Sequence, residues 1–400
     1  MKTEKICIVM VGLPARGKSI IANKIKNSLI SYGLNVKIFN NGEVRRNRLN
    51  NGASPDFFDN NNEKGKNIRE LIAQENINSA SSFLNKKGNI AILDATNSTI
   101  KRRELIKKKI KHNTLFIECV NNNFKILKLS IINKSKISDF KSMDQKDAIN
   151  SFKKRISFYE KSFERLDENN MIKIDSFSNK IINEKITDHF YFYSRIRDIL
   201  TSDNITNLFL ARHGETLFNQ KGKIGGNSSL TKKGKEQALE LYNNLKNKKI
   251  KYIFTSTKKR SINFAEFFQN KKDIKIIKLS EFNEINCGIF DSMTYNDIKK
   301  NYYNEYKSRT KDKYNYQYIN GESYKDLKKR VYLGLRKAIY LSDGGNDILI
   351  IGHQAVNRAI LSCFMFRNEE DVPYIHIPQD RYFHIISTHN KKVIEEIKYK

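Results

Sequence analysis

The sequence predicts an α/β protein of two domains, each a mostly parallel sheet with helices packed on it. Three observations carry this. Short apolar runs alternate with longer segments whose apolar residues recur at three- and four-residue spacing, the pattern of strands feeding helices. The alternation stops at a polar gap, Thr201–Thr206, and then restarts. A chain of 400 residues also suits two domains or a few, at ~100–200 residues each. The expected domains are 1–204 and 205–400.

In the first half, Ile6–Val11 is an unbroken apolar run that ends in a glycine-rich turn, and a helical pattern follows from Lys18. Val36–Phe39, Ile90–Leu93, Leu115–Cys119 and Met171–Ile174 are further strand-like runs. Continuous apolar runs of this kind suit strands buried on both faces of a parallel sheet. Asp144–Leu166 reads as a helix, because Ile149, Phe152, Ile156, Tyr159 and Phe163 fall on one face. In the second half Leu208–Leu210, Tyr252–Phe254, Ile274–Ile277 and Ile348–Ile351 are strand-like. Thr231–Lys246, Lys258–Phe268, Glu322–Leu341 and Ala355–Phe366 are helix-like, with Thr231 suited to the N-cap. Asn60–Asn62 and Asn121–Asn123 read as polar loops.

Composition excludes several classes. No run of ~18 apolar residues exists, so no membrane-spanning helix is expected. The N-terminus enters a strand without a signal-peptide pattern. Cys7, Cys119, Cys287 and Cys363 are far apart, which argues against a zinc site and for a reduced cytoplasmic protein. The net charge of +31 favours anionic partners. Lysines are spread along the whole chain and no basic–aromatic module appears, so nucleic acid is not the expected partner.

The turn after the first strand is Gly12-Leu13-Pro14-Ala15-Arg16-Gly17-Lys18-Ser19. Two glycines framing a turn between strand and helix let backbone N–H groups face phosphate oxygens. Lys18 would reach the outer phosphates of a nucleoside triphosphate, and Ser19 would help hold Mg²⁺. Asp94 ends an apolar strand, where a carboxylate can hold the metal or polarise an acceptor hydroxyl. Arg45-Arg46, Arg69, Arg102-Arg103 and Arg155 supply guanidinium forks for a phosphorylated acceptor.

The second half opens with a strand delivering Arg212-His213-Gly214-Glu215. A neutral imidazole is a competent nucleophile toward phosphorus, and an adjacent arginine stabilises charge on the transferring oxygens. Another strand ends in Gly352-His353, and Arg260 and Glu284 fall between them. Glu284 suits a proton donor to the leaving hydroxyl.

From about Lys5 to about Ser387 these segments resemble the bifunctional 6-phosphofructo-2-kinase/fructose-2,6-bisphosphatase family. The resemblance also rests on Asn41–Arg46, Asp94–Asn97, Lys154–Tyr159, Ile224–Gly226, Met293–Tyr295, Asp312–Tyr314, Gly321–Tyr324 and His353–Val356. It implies a P-loop kinase fold, with helices on both faces of its sheet, followed by a histidine-phosphatase α/β sandwich like that of phosphoglycerate mutases. The implied kinase moves the ATP γ-phosphoryl to the 2-hydroxyl of fructose 6-phosphate with Mg²⁺. Gly12 to Ser19 would bind ATP, with Ser19 and Asp94 on the metal. Arg45, Arg46, Arg69, Thr96, Arg102, Arg155 and Tyr159 would bind the sugar phosphate, and Lys134 would stand near the transferring phosphate.

The implied bisphosphatase needs no cofactor. His213 would become phosphohistidine, and Glu284 would be the acid. Arg212, Asn219, Arg260 and His353 would surround the 2-phosphate of fructose 2,6-bisphosphate, with Gly225 beside it. Tyr295, Arg309, Lys313, Tyr324, Gln354 and Arg358 would contact the sugar and its 6-phosphate. The resemblance allows a homodimer through the kinase half. The family's long phosphorylatable tails are not seen, so control through them is not expected. A second reading stays open, in which only the hydrolytic half works, because Asn133–Phe140 follows the family's segment only in part.

Overall fold

The structure is a computed structural model that describes residues 5–49, 54–135, 143–203, 205–269, 274–342, 347–365, 367–388 and 391–399. The chain divides into two compact units between Asn204 and Ile205.

The first unit holds β1 (Ile6–Val11), β2 (Val36–Asn40), β3 (Ile90–Asp94), β4 (Asn113–Val120), β5 (Met171–Asp175) and β6 (Lys180–Lys185). They form one sheet in the order β2-β3-β1-β4-β5-β6. All neighbours are parallel except β5 and β6. Side chains of β1 alternate between two cores, as a pleated strand requires. Ile6, Ile8 and Met10 join Ile21, Ile25 and Leu29 on one face. Cys7, Val9 and Val11 join Ile77, Leu84 and Ile106 on the other. β6 went unread in the sequence because its residues are mostly exposed and polar.

The helix expected over Asp144–Leu166 is shorter, Gln145–Lys161, with Asp144 as its N-cap. The buried guanidinium of Arg103 explains the early stop. It donates to the carbonyls of Glu164 and Arg165 at 3.2 and 3.0 Å and pairs with Glu168. These bonds draw the chain off the helical path although Leu166 still reaches the core.

The second unit holds β7 (Ile205–Arg212), β8 (Ile250–Thr255), β9 (Lys275–Lys278), β10 (Asp347–Gly352), β11 (Arg381–Ser387) and β12 (Lys392–Lys398). Their order is β12-β11-β7-β10-β8-β9, with β11 and β12 antiparallel to their neighbours and the rest parallel. Gly352 pairs with Arg212, and Ile351 with Thr255. Three parallel strands thus end side by side, and the next residues in sequence are His213, Ser256 and His353.

Thr231 caps its helix by accepting from Gly234 N–H at 3.1 Å, as its sequence position implies. The helix expected from Glu322 begins at Tyr324, because Ser323 caps it through Asp326 N–H at 3.2 Å. The helix expected over Ala355–Phe366 spans Gln354–Ser362; Phe366 lies outside the described residues. Among the described residues no helix is long and apolar enough to cross a membrane.

Candidate active sites

In the first unit the loop after β1 begins at Gly12, with φ +131°. A Cβ there would stand 2.5 Å from the Cys119 carbonyl oxygen, so only glycine lets the loop run this close to β4. Gly17, at φ +82°, turns the loop into the helix Lys18–Ile30. The unpaired N–H groups of a first helical turn therefore stand beside the loop, where an anion is favoured.

Lys18 Nζ donates to the Gly12 and Leu13 carbonyls at 2.8 and 2.7 Å. Burial pulls its ammonium pKa down to about 8; Asp94 opposes this, while Arg155 and Lys134 add to it. Ser19 Oγ and Asn40 Nδ2 both donate to Asp94 Oδ2, at 2.7 and 2.5 Å. Sheet register brings these groups together, since Asp94 on β3 pairs with Met10 on β1 and Asn40 on β2. Thr96 follows, and its carbonyl accepts from Gly12 N–H at 3.0 Å.

Beside the loop is a cavity of about 550 Å³ lined by Lys18, Ser19, Asp94, Thr96, Arg45, Arg46, Arg69, Arg102, Arg155, Lys134 and Tyr159. Two phenylalanines order the arginines. The Arg155 and Arg45 guanidinium carbons lie 4.0 and 5.0 Å from the Phe58 ring centroid, and that of Arg69 lies 5.7 Å from Phe57. Arg69 also donates to the Phe57 carbonyl, and Arg102 pairs with Glu70 at 2.5 Å. These contacts hold four like-charged side chains around one space that a phosphate could neutralise.

In the second unit His213 N–H donates to the Gly352 carbonyl at 3.1 Å. Its ring Nδ1 is 2.8 Å from the Gly214 carbonyl, so Nδ1 carries the proton. Nε2 keeps its lone pair and accepts from Arg260 Nε at 3.0 Å. The same Nε lies 3.2 Å from His353 Nδ1. His353 therefore holds its proton on Nε2, which donates to Ser256 Oγ at 2.8 Å. The ring centroids are 5.0 Å apart, and His213 and His353 are 3% and 0% exposed. Burial first, then the charge of Arg260, hold both imidazoles well below the usual histidine range. Both are neutral near pH 7, as a nucleophile must be.

Arg260 is steadied by donating from Nη1 to the Gly226 carbonyl at 2.8 Å. Gly226 N–H in turn donates to Asp291 Oδ1 at 2.9 Å. A Cβ at Gly225, φ +67°, would stand 1.8 Å from that oxygen, so the turn demands glycine. Arg212 Nη1 donates to the Ile377 carbonyl at 3.3 Å, while its buried Nε has no hydrogen-bond partner among the described residues. Burial lowers the Arg212 pKa to about 10, so it stays cationic at neutral pH. A cationic donor buried in this way is poised for an oxyanion.

Glu284 Oε1 accepts from Ile285 N–H at 2.9 Å and Ala355 N–H at 3.2 Å. Asn219 Oδ1 accepts from Thr216 N–H at 3.0 Å and Gln379 Nε2 at 3.1 Å, which leaves its amide nitrogen to offer a ligand. Arg309 donates to the Tyr318 and Tyr295 hydroxyls at 2.7 and 2.9 Å, and Arg358 to the Tyr324 hydroxyl at 3.0 Å. The cavity, about 130 Å³, is lined by Arg212, His213, Asn219, Gly225, Arg260, Glu284, Tyr295, Arg309, Tyr324, Gln354 and Arg358.

Residues 1–200 match the family described as 6-phosphofructo-2-kinase. Residues 208–399 match the histidine phosphatase superfamily, branch 1. The chain is 35% identical over 385 residues to 6-phosphofructo-2-kinase/fructose-2,6-bisphosphatase 4 of Macaca fascicularis, covering 93% of this chain and 80% of that one. It is 35% identical over 387 residues to form 3 of the same enzyme from Homo sapiens, covering 93% and 72%. The chain belongs to the 6-phosphofructo-2-kinase/fructose-2,6-bisphosphatase family. About half of it also resembles the α-ribazole phosphatase of Shigella flexneri, with a TM-score of 0.45, 21% identity and coverage of 48% of this chain and 96% of that one.

As a member of this family the chain brings nearly all the residues expected from its sequence into two places. Lys134 lines the kinase-side cavity; residues 136–140 of the divergent segment lie outside the described residues. Three placements differ from a simple reading of the motifs. Arg16 turns to the Asn121 carbonyl. Arg103, read with Arg102 as a phosphate fork, is instead buried against Glu168 in the fold. Lys313 stands outside the phosphatase cavity lining, with Nζ on the Pro373 carbonyl at 3.0 Å. Burial, then Arg358 and Arg309, lower its pKa to about 8. The sequence reading missed Phe58, Asn40, Ser256, Tyr318 and Gln379. Asn40 and Ser256 stand just after the strand-like runs Val36–Phe39 and Tyr252–Phe254, a positional signal for both; tertiary contact alone recruits Phe58, Tyr318 and Gln379.

Proposed function

We infer that this chain makes fructose 2,6-bisphosphate from ATP and fructose 6-phosphate and hydrolyses it back to fructose 6-phosphate and phosphate. In the first reaction the 2-hydroxyl oxygen attacks the γ-phosphorus as the bond to ADP breaks. Such transfer depends on positioning and charge. Lys18 and Lys134 neutralise the transferring phosphate, while Arg45, Arg46, Arg69, Arg102, Arg155, Thr96 and Tyr159 hold the sugar phosphate. Among the described residues no cluster of three metal-ligating side chains exists. One carboxylate and one hydroxyl, Asp94 and Ser19, 2.7 Å apart, fit Mg²⁺. Asp94 and Ser19 would hold it beside the nucleotide, where it would supply positive charge against the phosphates.

In the second reaction His213 Nε2 attacks the 2-phosphorus. The bond to the sugar oxygen breaks, and Glu284 gives that oxygen a proton. Water, losing a proton to Glu284, then attacks the phosphohistidine and releases phosphate. Arg212, Arg260 and Asn219 hold the phosphoryl oxygens, and His353 keeps Arg260 aligned. Tyr295, Arg309, Tyr324, Gln354 and Arg358, with Lys313 close by, bind the rest of the sugar phosphate.

The observation that carries the reading is one Arg260 Nε–H facing two buried neutral imidazoles, in a chain that also holds a lysine-and-arginine-lined P-loop cavity. The test is reciprocal. His213→Ala should abolish hydrolysis and leave synthesis intact, and Lys18→Met should do the reverse. Hydrolysis surviving in His213→Ala, or synthesis surviving in Lys18→Met, would remove the corresponding assignment.

A further inference from the structure

The segment bearing Glu284 has no regular structure of its own beyond a short turn, Ser280–Phe282. What fixes it is one face of the helix Tyr324–Leu341. Arg330, Gly334 and Lys337 are four and three residues apart, so they share a face. All three meet the segment. Arg330 Nη1 donates to the Glu281 and Asn283 carbonyls at 2.8 Å each, and Nη2 donates to the Glu284 carbonyl at 3.2 Å. Lys337 pairs with Glu281. At Gly334 a Cβ would stand 2.7 Å from Glu281 Cβ, so the helix approaches as closely as a backbone can.

The other side of the guanidinium is also engaged. Arg330 Nε donates to Glu322 Oε2 at 2.9 Å, and Nη2 pairs with Oε1. Glu322 Oε1 accepts from Asn286 N–H at 2.8 Å, and Glu322 N–H donates to the Asn286 carbonyl at 3.0 Å. Backbone groups on both flanks of Glu284 are therefore tied to one ion pair. Three carbonyls converging on one planar cation is a demand that only arginine meets.

We propose that Arg330, backed by Glu322, is the positioning residue for the acid Glu284, holding its carboxyl where the leaving sugar oxygen takes the proton. This rests on the reading of Glu284 as proton donor. Arg330 touches no reacting atom and works through the backbone on which Glu284 sits. Loss of the clamp should therefore injure the protonation step and spare the attack by His213.

The experiment compares two substrates on the full chain. Fructose 2,6-bisphosphate has a poor leaving group that needs the proton; p-nitrophenyl phosphate leaves as a stabilised phenolate and does not. General acid catalysis contributes about 10²–10⁴-fold. Arg330→Gln should lower kcat/KM for fructose 2,6-bisphosphate, which covers only the steps up to phosphohistidine formation, by about 10²-fold and change kcat/KM for p-nitrophenyl phosphate by less than about threefold. Arg330→Lys, which keeps the charge and loses the fork, should show the same selectivity at about tenfold; it serves as the readout if the glutamine variant does not fold.

Glu284→Gln, run beside them, separates the two claims. Equal loss of kcat/KM with both substrates in Glu284→Gln would defeat the reading of Glu284 as the acid. A sugar-selective loss in Glu284→Gln, with equal slowing of both substrates or no slowing in the Arg330 variants, would defeat the clamp alone.

Discussion

His213 and His353 show how burial sets chemistry at a single side chain. Their pKa values lie below the unfolded value of about 6.5 because the site desolvates them and Arg260 repels their protons. Above that pH neither state protonates them. As pH falls below it the unfolded chain takes up protons that the folded site refuses, so stability is lost with acid. The slope approaches about 1.4 kcal/mol per pH unit for each histidine. Urea unfolding at about pH 7.5 and about pH 5.5 should therefore show a smaller acid loss in His353→Asn than in the unmutated protein; equal losses would contradict the assignment. Lys18 is the counterpart in the kinase unit. Its pKa is down at about 8, and a bound triphosphate restores its charge. ATP binding at about pH 9 should then take up a proton, and affinity should fall by up to about tenfold per pH unit above 8. Calorimetry in two buffers of different ionisation heat reads that uptake directly; binding without uptake would mean that Lys18 does not face the phosphates.

Turns and helix starts, more than sheets, aim these groups. The helix Lys232–Leu245 meets the catalytic turn at glycine against glycine: a Cβ on Gly214 would stand 2.4 Å from the Gly234 carbonyl oxygen, and one on Gly234 would stand 2.1 Å from that of Glu215. Alanine in a helix normally gains about 1 kcal/mol over glycine. Here the clash decides the sign. Gly234→Ala should cost about 2 kcal/mol and move the His213 turn, read as a lowered urea midpoint together with slower hydrolysis. An unchanged midpoint would show that the turn gives way freely. Much of this scale was legible in the sequence, because buried parallel strands such as Ile6–Val11 and Ile348–Ile351 spell themselves as apolar runs and their C-terminal residues carry the motifs. β6, β11 and β12 were not legible. β6 and β12 are edge strands whose exposed charged residues break any apolar run, and β11 is an antiparallel strand whose apolar residues are interrupted by His384. Arg102 and Arg103 look alike in sequence, yet one lines the cavity and the other is buried in the fold. Their difference arises from the segment 164–168, which packs on Arg103 from far along the chain.

Across the whole chain, each unit places its chemistry at the C-terminal ends of parallel strands, where ligands of open α/β sheets bind. The side chains set there differ in kind. The first unit has a cavity of about 550 Å³ ringed by cations, suited to holding two phosphorylated molecules. The second has about 130 Å³ around a buried neutral nucleophile, suited to drawing one phosphoryl group off a sugar. Likeness of architecture does not choose between these tasks; the residues at the strand ends do. The most direct test follows one phosphorus atom. ATP labelled at the γ-phosphate is mixed with fructose 6-phosphate, Mg²⁺ and the purified chain, and samples are quenched over time. Label should pass first into fructose 2,6-bisphosphate, then onto His213 as an acid-labile phosphohistidine, and last into inorganic phosphate. Label reaching phosphate without passing through the sugar and the histidine would contradict the account.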